Sequence, residues 1–171
     1  FDVVDRLGRE QPEKTAMLHV AEDKTERYFT FGELKRASSQ TANYFKSLGI
    51  KKGDKVAILL MNCLEWLPIY FGILKTGALV VPMNYRYSSD EIKYCLDLAD
   101  VRMLVFGPEF IERINAITDD ISYLSDMFFV GKQNDTPEYA DNYSQMTYYC
   151  STTVPPVELR DEDDAAIYFS S

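Results

Sequence analysis

The sequence predicts an α/β fold: a largely parallel sheet with helices on both faces and an antiparallel hairpin near its start. Three observations predict it. Short apolar runs of strand length recur at 56–60, 78–81, 101–106 and 127–130, the pattern of strands buried on both faces. Stretches with apolar residues at helical spacing lie between them. The alternation of the two requires crossover connections, which are right-handed in parallel sheets.

Residues 1–9 carry Phe1, Val4 and Leu7 on one side, a short amphipathic helix that Gly8 is expected to end early, and Gln11-Pro12 then breaks the chain. The segments 15–20 and 27–31 read as a hairpin at the sheet margin, joined by a charged turn at 21–26. His19, the single histidine, lies in the first of these and has no Cys, Ser or Asp pattern around it, so its expected role is structural. Thr30 and Glu33 form a capping box. Behind them Leu34, Ala37, Thr41, Tyr44, Phe45 and Leu48 keep helical spacing until Gly49, and Ile50 is placed to fold back on the last turn.

The central stretch, 53–86, reads as a βαβ unit. Asn62 and Glu65 have capping spacing at the start of a helix with almost no polar face, Leu64 to Leu74 being nearly all apolar. Lys75 suits the negative end of that helix, and Gly77 can take the left-handed conformation that stops it. The strand at 78–81 is cut by Pro82 and leaves Asn84, Tyr85 and Arg86 at its carboxyl end, the edge where open α/β sheets bind ligands. Ser88 and Glu91 make a second capping box, followed by Ile92, Cys95, Leu96 and Ala99 on one face. The next strand, 101–106, has Arg102 as its only charge, and Gly107-Pro108 turns the chain into a short helix at 110–117 before the strand at 127–130.

From 131 to 159 the chain is polar and tyrosine-rich. Tyr139, Tyr143 and Met146 are spaced for one small helix, and Pro155-Pro156 forbids regular structure beyond it. The expected organisation is an α/β core over 1–131, a surface excursion over 132–160, and a final strand within 161–171 preceded by the acidic run 161–164, a solvated turn.

A chain of 171 residues has room for one core or for one piece of a larger domain. With no initiating Met and two serines directly after the apolar run AAIYF, a piece is the expectation. The net charge of −9, from 18 basic and 27 acidic residues, argues against nucleic acid or an anionic membrane surface as the main partner. No apolar stretch is long enough to span a bilayer and no signal sequence is evident. Cys63, Cys95 and Cys150 are odd in number and widely spaced, fitting neither a metal pattern nor a disulfide framework, so a reducing cytoplasm is expected.

Three segments together resemble the N-terminal portion of the acyl-adenylate-forming superfamily of acyl-CoA synthetases, peptide-synthetase adenylation domains and luciferases: YFTFGELKRASSQTANYFKSLGIKKGDKVAILL, LKTGALVVPMN and DEDDAAIYFSS. The last is similar to the strand that enters the family's phosphate-binding loop, usually YTSGTTGxPKG. The resemblance implies that the chain is an incomplete portion of the large N-terminal domain, ending just before the loop's glycines. It implies that Ser170 and Ser171 supply hydroxyls to the phosphates of ATP, whose oxygens become more negative as pyrophosphate leaves. It implies two steps, attack of a carboxylate on the α-phosphorus of Mg-ATP and then transfer of the acyl group to the thiol of CoA, with Arg86 placed to meet a CoA phosphate. Catalytic residues are expected beyond position 171, the metal is expected as Mg²⁺ accompanying ATP rather than in a protein cage, and the 171-residue chain alone is expected to be inactive.

An acyl-CoA synthetase for a carboxylic acid, a fatty acid being the expected class, is the leading reading because Asn84 follows "VPM" as in the CoA-ligase version of the motif. An amino-acid or aryl-acid adenylation domain is the alternative within the family, and a non-catalytic interaction module the alternative outside it. Expected partners are the small-molecule acid and the remainder of the same chain, with oligomeric state open.

Overall fold

In the computed structural model, which describes residues 2–170, the chain forms a doubly wound sheet and a separate hairpin. The elements are α1 (Asp2–Glu10), β1 (Thr15–Val20), β2 (Glu26–Thr30), α2 (Phe31–Ser47), β3 (Lys55–Leu59), α3 (Trp66–Lys75), β4 (Leu79–Pro82), α4 (Ser89–Leu98), β5 (Met103–Phe106), α5 (Ile111–Asn115), β6 (Asp126–Phe129), β7 (Asp141–Asn142) and α6 (Tyr143–Tyr148). The five-stranded sheet is parallel throughout, in the order β4-β3-β5-β6-β7.

Side chains alternate across it. Val56, Ile58, Val80, Met103, Val105 and Phe128 face the layer of α2 and α3, packing on Phe45, Ile69 and Ile73. Ala57, Leu59, Val81, Leu104, Phe106 and Phe129 face α4 and α5, packing on Ile92, Leu96 and Ile114. Helices on both faces, the predicted layering, follow from this period of two.

Both strong capping boxes form. Thr30 Oγ1 accepts from the Glu33 amide and Glu33 accepts from the Thr30 amide; Ser88 and Glu91 repeat the arrangement. At the end of α2, Gly49 (φ 87°) donates to the Lys46 carbonyl and Ile50 to the Phe45 carbonyl, closing the helix with Ile50 buried behind it. Gly77 likewise has φ 80°.

Several expectations need correction. Gly8 does not end α1, which continues to Glu10; a Cβ at Gly8 would lie 2.7 Å from Lys35 Cδ and 3.0 Å from the Phe31 carbonyl, so this glycine lets α1 approach α2. The hairpin is not on the sheet margin. It is its own two-stranded sheet, held to the β3–α3 loop through His19 Nε2 and the Asn62 carbonyl at 3.1 Å.

Asn62 and Glu65 form no capping box: α3 starts at Trp66, with Glu65 at the cap and no side-chain hydrogen bond to it. Pro68 explains the late start. A helix beginning at residue 63 would put this proline in its interior, whereas starting at Trp66 puts it in the first turn, where backbone N–H groups have no helical partner anyway.

Within 132–160 the expected small helix forms as α6, Tyr143–Tyr148, and a short strand that was not expected, β7, pairs with β6. Tyr143 is buried, its hydroxyl 2.6 Å from Thr41 Oγ1; Gln40 donates to the carbonyl of Tyr148 at the end of α6, and Asn43 donates to those of Ser151 and Thr153 beyond it. Tyr139 lies outside the small helix; its ring stacks on Phe106 and its hydroxyl donates to Asn115 Oδ1.

The last apolar run forms a single parallel bridge, Val80 with Ala166, rather than a strand. The Val80 amide donates to Ala165 and the Ile167 amide to Val80. Continuing this ladder would need the amide of Pro82, which has none. Proline is tolerated there because its nitrogen faces the outer edge, while the Leu79 and Met83 amides face the β3 side.

Candidate functional site

The strand order places a topological switch point between β3 and β5, the first strand and the one on its other side, and open α/β sheets bind ligands at the carboxyl edge there. Four loops leave that edge. Those after β3, β5 and β6 line a crevice of about 460 Å³ that includes Asn62, Glu65, Glu109 and Lys132, with Arg27 of the hairpin also in its lining. The loop after β4 holds Asn84, Tyr85 and Arg86, all exposed.

That loop is built from local bonds. Asn84 Oδ1 accepts from the Arg86 amide at 3.0 Å, and the Asn84 carbonyl accepts from Tyr87 at 3.1 Å, closing a turn. Arg86 Nε donates to Tyr85 Oη at 3.0 Å, with the guanidinium 5.3 Å from the Tyr85 ring centroid. Across from it, Arg113 Nη1 of α5 donates to the carbonyls of Tyr85, at 2.7 Å, and Tyr87, at 3.0 Å. Sequence reading missed Arg113: it lies 26 and 28 residues from these carbonyls, and a bond to backbone leaves no trace in side-chain spacing.

The segment around Ala166 runs parallel to β4 and so leads toward the edge carrying Asn84 and Arg86. Ser170 is exposed at its end, and Ser171 lies outside the described residues. The acidic run ahead of it is a turn in which Asp163 accepts from the Arg160 amide and pairs with Lys52, which together hold its carboxyl below the usual range. Among the described residues no group of three His, Cys, Asp or Glu is arranged to hold a metal ion.

Two other groups on the α3 side are chemically quiet. Burial pushes the Cys63 thiol up to about 12, so it stays protonated at neutral pH and is no nucleophile. Burial, aided by the Tyr168 hydroxyl at 3.4 Å, raises the Tyr70 hydroxyl to about 12 as well. No helix among the described residues is long and apolar enough to cross a membrane.

Comparison with known proteins agrees with this architecture. The family model for "AMP-binding enzyme" matches residues 4–171. The crotonobetaine/carnitine--CoA ligase of Salmonella heidelberg (strain SL476) is 34% identical over 170 residues, covering 98% of this chain and 33% of that protein. The enzyme of the same name from Salmonella agona (strain SL483) is 33% identical over 169 residues, again with 98% and 33% coverage. The chain thus spans about a third of the length of the curated relatives it matches. Among solved structures, the anthranilate CoA ligase AuaEII in complex with anthranoyl-AMP superposes with a TM-score of 0.85 at 27% identity, over 98% of this chain and 32% of that one. The N-terminal domain of FACL13 from Mycobacterium tuberculosis superposes with a TM-score of 0.84 at 22% identity, over 98% and 40%, a likeness of fold alone. A parallel sheet with its switch point, a terminal segment alongside β4 and a match over nearly every residue lead to one assignment: the chain belongs to the AMP-binding enzyme family.

Proposed function

We propose that this chain is part of an ATP-dependent, AMP-forming acyl-CoA ligase that joins a small-molecule carboxylic acid to CoA in the cytoplasm. The observation that carries the reading is the direction of the last segment, which runs parallel to β4 toward the edge where Arg86 stands. It is supported by relatives named as CoA ligases that align with 98% of the chain.

In this reading Ser170 and Ser171 donate hydroxyls to the phosphates of ATP, and Arg86 donates to a phosphate of CoA. ATP supplies activation of the carboxylate, which is otherwise a poor acyl donor. Mg²⁺ arrives with the nucleotide, since magnesium is commonly held through substrate phosphates and few protein oxygens. A fatty acid is the class read from the resemblance. The curated relatives are named for crotonobetaine and carnitine and one structure for anthranilate, so the acid is best sought among quaternary-ammonium, aryl and aliphatic acids together.

The test uses the intact protein. Acid-dependent exchange of pyrophosphate into ATP, followed by a CoA thioester, is the expected result. Thioester formed only on a carrier protein moves the assignment to an adenylation domain, and no exchange with any acid removes the enzyme reading. The 171-residue chain alone is expected to show no exchange. Arg86→Ala is expected to raise KM for CoA and leave pyrophosphate exchange in place; an unchanged KM removes Arg86 from the CoA site.

A further inference from the structure

Arg86 sits on an exposed turn, yet a long, flexible arginine on a loose turn is a poor donor to a phosphate, because binding must first order both the side chain and the backbone beneath it. The turn here is not loose. Arg113, half-buried on α5 with its guanidinium 5.4 Å from the ring centroid of the fully buried Phe110, places one nitrogen between the carbonyls on either side of Arg86. Its bonds to Tyr85 and Tyr87, at 2.7 and 3.0 Å, are charge-assisted and straddle the residue they steady. Tyr85, so fixed, in turn offers its hydroxyl and ring to the Arg86 side chain.

We propose that Arg113 is a positioning residue: by clamping the carbonyls of Tyr85 and Tyr87 it fixes the turn that presents the Arg86 guanidinium to a phosphate of the CoA nucleotide. The inference rests on the reading of Arg86 given above. Arg113 itself makes no contact with the phosphate, and its effect passes entirely through Arg86.

This has a signature that a merely structural arginine lacks. In the intact protein, Arg113→Ala is expected to raise KM for CoA by roughly three- to tenfold with little change in kcat, because an interaction that only orients a binding group acts on binding. Arg113→Lys, which keeps a cation able to donate to two carbonyls, is expected to recover most of the loss. The double variant Arg86→Ala/Arg113→Ala is expected to match Arg86→Ala alone, since with Arg86 gone there is nothing left to position. Amide hydrogen exchange across 84–88 is expected to quicken in Arg113→Ala, which shows the turn released without reference to turnover.

The outcomes separate the two claims. Arg86→Ala effective with Arg113→Ala silent overturns the positioning role and leaves the CoA site standing. Additive losses in the double variant, or a fall in kcat equal to the rise in KM, also overturn it, the first by showing an independent effect and the second a general structural one. Arg86→Ala silent overturns the CoA site and the positioning role together.

Discussion

The two edges of the sheet handle their cations differently. At the amino edge several cations have a carboxylate: Lys55 with Asp100 at 3.7 Å, Arg102 with Asp54 at 2.8 Å, Lys52 with Asp163, and, behind them in the helical layer, Lys75 with Asp5 at 2.6 Å, while Lys51 in the turn before β3 forms no ion pair among the described residues. At the carboxyl edge Arg27, Arg86, Arg113 and Lys132 form no ion pair among the described residues. Acids are not scarce, since the chain has 27 against 18 basic residues. The contrast is between an edge where several cations are paired within the protein and one where these four are not, and the second is the edge at which open α/β sheets receive ligands.

The strongest way to break the comparison is at Lys75. Its ammonium is completely buried, with Ser39 Oγ at 3.1 Å as a second acceptor, and burial pulls its pKa down while Asp5 opposes the shift. Asp5→Ala leaves that charge without its carboxylate and is expected to cost about 3 kcal/mol of unfolding free energy. Replacing both partners, Asp5→Leu with Lys75→Met, is expected to restore most of it, as an apolar pair of similar volume needs no desolvation. Arg86→Ala, at the other edge, is expected to change stability by no more than about 0.5 kcal/mol. Denaturant unfolding with hydrogen exchange in α1 and α3 reads all three, and a loss below about 1 kcal/mol for Asp5→Ala refutes the view that the amino side is held by paired charge.

How much of this was legible follows the range of each interaction. The Thr30/Glu33 and Ser88/Glu91 boxes, and the turns at Gly49 and Gly77, depend on residues within a few positions and came out as read. So did the apolar strands and the two-faced core, because burial on both sides leaves a continuous apolar run. The Asn62/Glu65 pair has the same spacing as the true boxes and failed because Pro68, six residues past Asn62, moves the helix start. Lys75 was read as a dipole partner at the end of α3, and its real partner lies 70 residues away on α1. At the carboxyl edge Arg86 was singled out by position after a strand, but the clamp from Arg113 and the crevice lined by Arg27 and Lys132 exist only once the loops are assembled.

A smaller perturbation probes how rigidly the ion-paired side is packed. A Cβ at Gly72 would lie 2.5 Å from Thr41 Cβ and 3.0 Å from the Ser38 carbonyl, so α3 and α2 meet there with no room to spare. Alanine gains about 1 kcal/mol of helix propensity over glycine, yet Gly72→Ala is expected to be net destabilising by about 1–2 kcal/mol, because neither a Cβ nor a backbone carbonyl can swing away. Adding Thr41→Ser, which removes Cγ2 but keeps the hydroxyl that meets Tyr143, is expected to recover only part of the loss. A stabilised Gly72→Ala protein means that the two helices slide apart easily and the ion-paired side is softer than its contacts imply.

The smallest expected effect sharpens the comparison through pH. Glu91 at the carboxyl edge is held below its ordinary value of 4.5 chiefly by the Ser88 amide, at 2.7 Å, and then by the Ser88 hydroxyl, at 2.8 Å. Asp163 at the amino edge is held below 3.8 chiefly by Lys52. Both carboxyls titrate lower in the folded chain, so each contributes stability that is fully present above its ordinary value and is lost as pH falls through its folded value. Glu91→Gln keeps the reciprocal cap without the charge. Its stability deficit against the native sequence is therefore expected above pH 4.5 and should vanish in more acidic solution. Asp163→Asn behaves the same way with one difference: an exposed ion pair is screened by salt, whereas a hydrogen bond to a neighbouring amide is not. Raising ionic strength is expected to shrink the Asp163→Asn deficit and leave that of Glu91→Gln nearly unchanged. Equal salt sensitivity at the two sites means that both edges depend on long-range charge, and the distinction between an ion-paired amino edge and a hydrogen-bonded carboxyl edge fails.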